Sequence, residues 1–102
     1  AHAQRERAIQ ALRMGQSFAS TEDWTNADLE FTRAIEIDHG FARAYLERAI
    51  ARFSEGKYPK VLADFASLDR LDPALATRSI TLRILAEQAV VTAHSSSYVN
   101  KN

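Results

Sequence analysis

Trp24-Thr25-Asn26-Ala27-Asp28-Leu29-Glu30-Phe31-Thr32-Arg33-Ala34-Ile35-Glu36-Ile37-Asp38 decides the fold once it is laid against Tyr58-Pro59-Lys60-Val61-Leu62-Ala63-Asp64-Phe65-Ala66-Ser67-Leu68-Asp69-Arg70-Leu71-Asp72, 34 residues further on. Trp24 falls on Tyr58, Ala27 on Val61, Phe31 on Phe65, Ala34 on Leu68, Ile37 on Leu71 and Asp38 on Asp72. Size and shape agree at each pair. Outside the two stretches, Gly15 falls on Ala49 and His39 on Pro73 at the same offset. Apolar residues within each stretch recur at three- and four-residue steps, the spacing of a helix with one buried face. A fixed period of this length, built from two helical segments, marks hairpins that bury their apolar faces by stacking on one another.

The helical pattern extends in both directions. A first helix over about 3–20 carries Ile9, Leu12, Met14, Phe18 and Ala19 and stops at the polar run Ser20-Thr21-Glu22-Asp23. The second runs from Trp24 to Asp38, and the third, about 41–54, carries Phe41, Ala42, Tyr45, Leu46, Ala49, Ile50 and Phe53 up to Gly56, a residue suited to the left-handed conformation after a helix. The fourth begins at Tyr58 and Pro59, where a proline fits the first turn. Asp72-Pro73 ends one helix and opens a fifth over about 74–94. Residues 95–102, Ser-Ser-Ser-Tyr-Val-Asn-Lys-Asn, lack periodicity and read as a flexible polar tail. The expectation is an all-α chain of five helices, with a single domain over 1–94.

Composition narrows the function. The chain has 102 residues, enough for one core, and its 13 Lys and Arg balance 13 Asp and Glu, so no net charge draws it to nucleic acid or anionic lipid. It has no cysteine, which removes disulfides, thiolate nucleophiles and cysteine-based metal sites. His2, His39 and His94 have no metal-site spacing, and no nucleophile elbow, phosphate-cradling loop or carboxylate pair occurs. No enzymatic role, metal or cofactor is expected. The N-terminus is charged and no apolar run is long enough for a membrane span, so the expectation is a cytoplasmic chain without membrane insertion. It opens without Met, as a processed or excised piece of a longer chain would.

In these positions the sequence resembles the tetratricopeptide repeat (TPR) family. Gly15-Gln16-Ser17-Phe18 followed by Trp24 to Asp38 looks like one unit; Ala44-Tyr45-Leu46-Glu47-Arg48-Ala49, Gly56-Lys57-Tyr58, Val61 to Phe65 and Leu71-Asp72-Pro73 look like the next. Repeat one covers about 8–41 and repeat two about 42–75, with the segment of about 74–94 as a capping helix. The resemblance implies a right-handed superhelical stack of antiparallel hairpins. Gly15, Trp24, Ala27, Phe31, Ala34, Ala49, Tyr58, Phe65 and Pro73 are the structural repeat positions. The chain departs from the family pattern at Val61 and Leu68, where alanine is usual, at His39 in place of proline, and at Arg48 and Arg52.

In such a stack the first helix of each hairpin lines a concave groove, and the family's role is that of a protein-binding scaffold or adaptor, in some members for chaperones. Projected from helical spacing, the groove here consists of Ile9, Leu12, Arg13, Gln16 and Ala19 from the first helix and Arg43, Leu46, Glu47, Ile50 and Phe53 from the third, with Thr77, Ile80, Thr81, Ile84 and Gln88 from the fifth. The family's polar clamp for an acidic C-terminus is missing, because Leu12, Gln16, Glu47, Thr77 and Thr81 stand in its places. The helices at 2–20 and 41–53 each sum to plus two and residues 22–38 to minus five, which puts arginines beside an apolar groove. The expected ligand is a hydrophobic or amphipathic polypeptide segment. Its competitors are a second copy of the chain, as a homo-oligomerisation module, or a covering segment of a longer parent protein. Arg48 is expected to pair with Asp64 or Glu30, with a direct ligand role as the alternative, and Arg52 to be a solvated or snorkelling side chain.

Overall fold

The computed structural model describes the backbone of residues 2–100 and the side chains of residues 2–95. All regular structure among these residues is helical: α1 His2–Ser20, α2 Trp24–Ile37, α3 Ala42–Ser54, α4 Tyr58–Leu71, α5 Pro73–Arg78 and α6 Ile80–Asn100. Helix α1 packs on α2, α2 on α3 and α3 on α4, and both α5 and α6 pack on α4.

The 34-residue offset of the sequence is also the spacing of the helices. Helices α2 and α4 each span 14 residues, starting at Trp24 and Tyr58 and ending at Ile37 and Leu71, while α1 and α3 stop at Ser20 and Ser54. Equivalent turns follow. Glu22 adopts φ 61° between α1 and α2, and Gly56, its counterpart between α3 and α4, adopts φ 76°. Past α2 and α4, Asp38 and Asp72 leave the helical conformation with φ −139° and −152°, each returning its N–H to the carbonyl four residues back. Asp72 also caps the next helix, its Oδ1 accepting from the Leu75 N–H at 3.0 Å.

Small residues set how closely the hairpins approach. A Cβ added at Gly15 would come within 2.4 Å of the Phe31 ring, so α1 and α2 meet at a distance that only glycine permits. Ala27, Phe31, Ala34, Ala49, Val61, Phe65 and Leu68 are all fully buried. Trp24 and Tyr58 are half-buried at the hairpin edges, and Tyr58 meets Phe53 edge-on at 5.2 Å.

The helix count differs from the five expected. The segment after Pro73 divides at Ser79, which has φ −103° and ψ 17°. Its N–H bonds to both the Leu75 and Ala76 carbonyls, at 3.1 and 3.2 Å, and its own carbonyl accepts from Leu82 at 3.2 Å, so the chain tightens into three-residue turns there. Thr77 and Ser79 are weak helix formers whose hydroxyls compete for the backbone. The step lets Ala76 of α5 and Ala86 of α6 both reach the core. Helix α6 then continues past His94 through Asn100, so residues 95–100, read as a polar tail, belong to its last turns; residues 101 and 102 lie outside the described residues.

Candidate functional site

In the 34-residue register, side chains of α1, α3 and the α5–α6 segment fall into equivalent sets, or rows. One row is Gln16 on α1, Ile50 on α3 and Ile84 on α6, all exposed. A second is Arg13, Glu47 and Thr81, and a third Ile9, Arg43 and Thr77. Helices α1 and α3 touch, and the Gln16 amide donates to Glu47 Oε2 at 3.2 Å across them. The same oxygen accepts from Arg43 Nε at 3.1 Å. Arg13 stands exposed on α1. Ile9 and Phe53 are half-buried against the core, while Ile50, Ile80 and Ile84 are 37, 43 and 44 % exposed.

Two of the expected groove residues belong to the core. Leu12 is 8 % exposed and Leu46 7 %, and neither presents a surface to a ligand. Helical spacing explains the difference: Leu12 lies one turn from both Ala8 and Gly15, on the stripe of α1 that closes onto α2, and Leu46 holds the same position on α3. The surface that remains is more polar than the sequence suggests, with isoleucines set among Arg13, Gln16, Arg43 and Glu47.

On the α2 side of α3 lies a cluster of charges that the sequence reading partly missed. Asp64 on α4 is buried and takes the Arg48 guanidinium through Nη2 at 2.7 Å and Nε at 3.2 Å. Arg48 Nη1 also donates to Thr32 Oγ1 at 3.2 Å, and that hydroxyl donates to Asp28 Oδ1 at 3.2 Å. Arg52, expected in solvent, instead donates from Nε to Asp28 Oδ2 and from Nη1 to Asp64 Oδ2, both at 3.2 Å. The ring of contacts closes on itself with two positive and two negative charges, and it ties α2, α3 and α4 together. Arg48 further stacks over Tyr45 at 5.6 Å, and the Tyr45 hydroxyl donates to the His39 carbonyl at 3.1 Å. Every charge in the ring is matched, so it has no spare valence for a ligand and reads as a structural joint.

Elsewhere, Arg5 pairs with Asp38 at 2.9 Å and stacks over Phe41 at 4.8 Å, fastening the start of α1 to the turn between hairpins. Among the described residues no group of three or more His, Asp or Glu could hold a metal ion, and no helix is long and apolar enough to cross a membrane. Comparison with protein-family models, curated proteins and solved structures gives no match to this chain.

Proposed function

We propose that the chain is a tetratricopeptide-like scaffold of two hairpins and a closing segment that holds an amphipathic polypeptide along the rows of α1, α3 and the start of α6. The observation that carries this reading is the row Gln16, Ile50 and Ile84, one exposed residue from each successive first helix at a constant 34-residue spacing. Alongside it, Arg13 and Arg43 flank the isoleucines, so a segment with an apolar stripe bordered by carboxylates is the complementary ligand. The buried Gly15–Phe31 contact and the alanines at 27, 34 and 49 support the tetratricopeptide-like packing. As a binding module rather than an enzyme, the protein acts by presenting this surface.

A peptide-display selection against the wild-type chain tests the reading. It should enrich helical sequences with acidic residues flanking an apolar stripe, and their affinity should fall about tenfold or more for Ile50→Glu, about 1.4 kcal/mol, with helical circular dichroism unchanged. Failure to enrich any sequence, or equal binding to Ile50→Glu, would remove it. Ile50 is the informative probe because it is exposed, whereas Leu46 on the same helix is core.

A further inference from the structure

Helix α6 holds the place of the first helix of a hairpin, and among the described residues it packs on α4 and α5 with no second helix beside it. Positions 12, 46 and 80 are equivalent in the 34-residue register: Leu12 and Leu46 are buried on helices followed by a packed mate, whereas Ile80 is 43 % exposed. The next equivalent set behaves alike, with Gly15 and Ala49 buried and Arg83 only half-buried. Counting 100° per residue, Ile80, Arg83, Glu87 and Val91 lie within an arc of about 80° on α6. Leu82 and Ala86, about 100–140° round the helix from the centre of that arc, pack into the core. Val91 is 64 % exposed, and together with Glu87, Gln88 and Thr92 it lines a shallow depression.

We propose that this stripe is a dimer interface, and that α6 of a second copy packs antiparallel along it in the place that α2 takes on α1 and α4 takes on α3. The stripe is complementary to itself. Two apolar residues, Ile80 and Val91, bracket two opposite charges, Arg83 and Glu87. Turned about a two-fold axis near Leu85 and Ala86, Ile80 of one copy meets Val91 of the other and Arg83 meets Glu87, and both contacts occur twice. Glu87 is available for this: its carboxylate is 4.0 Å from the Arg83 Nε of its own chain and largely exposed, while the Arg83 terminal nitrogens are held by Asp69 at 3.0 and 3.1 Å. A chain with no net charge also brings no long-range repulsion to the encounter. The stripe borders the row of Ile50 and Ile84, since Ile84 lies about 20° from Val91 around α6, but the interface goes beyond the groove reading because Arg83, Glu87 and Val91, which carry it, have no part in that reading.

Sedimentation equilibrium of the wild-type chain from roughly 1 to 100 µM, a range that brackets a micromolar Kd, should show a dimer. Val91→Glu and Glu87→Lys should each raise the dimer Kd more than tenfold with helical content retained. Because the chain has no cysteine, Ile80→Cys combined with Val91→Cys should give a covalent dimer on oxidation. A wild-type chain that is monomeric throughout, as it would be if the stripe were bare or took a foreign helix, overturns the proposal, and so does a Val91→Glu variant that dimerises as tightly as wild type. Ile50→Glu should leave the dimer intact, so failure of the groove reading and failure of this one are separable.

Discussion

Two joints in this molecule occupy the same place in the 34-residue register and are made of opposite chemistry. Where α3 meets α2, the residues are Asp28, Arg48 and Arg52, closed into a ring by Thr32 and Asp64. Where α6 meets α4, the equivalent positions hold Leu62, Leu82 and Ala86, all packed into the core. The backbone accepts either set, so the fold does not require charge at this joint. What the ionic version adds is geometry: a guanidinium fork satisfied by particular carboxylates fixes the register of three helices, whereas leucine against leucine tolerates sliding.

The largest expected effect comes from breaking the ionic joint at its centre. Asp64→Ala leaves Arg48 and Arg52 facing each other with only Asp28 between them, and removing one partner of a buried pair costs about 3–5 kcal/mol. Urea unfolding should show that loss. Converting the whole joint to apolar chemistry like that of the other, with Asp28→Leu, Arg48→Met, Arg52→Met and Asp64→Leu together, should instead return stability to within about 2 kcal/mol of wild type, because apolar residues of similar volume replace buried ion pairs at little net cost. If the quadruple variant is as unstable as Asp64→Ala, the two joints are not interchangeable and the register comparison fails.

Reading the joints from sequence alone succeeds unevenly. The repeat is legible because Ala27, Phe31, Ala34 and their counterparts are fixed by close packing, which leaves a strong pattern of size. Arg52 is misread because its partners Asp28 and Asp64 lie on other helices, 24 and 12 residues away. A signal for it exists in the repeat itself: three charged residues stand at positions whose counterparts are Leu62, Leu82 and Ala86. Leu12 and Leu46 are misassigned to the groove because a step of one residue along a helix turns the side chain by about 100°. The break at Ser79 rests on local hydrogen bonds that composition hardly marks.

A smaller effect is expected where the hairpins differ in their closest approach. Gly15→Ala gains helix propensity of about 1 kcal/mol, yet its methyl meets the fully buried Phe31 ring at 2.4 Å, with no flexible chain end to give way. Overpacking of this kind costs about 1–3 kcal/mol, so net destabilisation is expected in thermal unfolding. At the matching place in the second hairpin, Ala49 already carries that methyl in a fully buried site. A stabilised Gly15→Ala variant would show that α1 can draw back from α2.

The smallest effect separates the two turns that join the helices of each hairpin. Both place a residue in the left-handed region, Gly56 at φ 76° and Glu22 at φ 61°, but only Gly56 is free of the Cβ penalty there. A left-handed non-glycine residue costs about 1–2 kcal/mol, against the extra unfolded-state freedom of glycine, about 0.5–1 kcal/mol. Glu22→Gly should therefore stabilise the chain by about 0.5 kcal/mol, and Gly56→Ala should destabilise it by about 1 kcal/mol. No side-chain crowding confuses the second measurement, because a Cβ built at Gly56 has no contact within 4 Å. Opposite signs in paired denaturation curves would show that the turns share one backbone requirement, which only the second hairpin meets with its preferred residue.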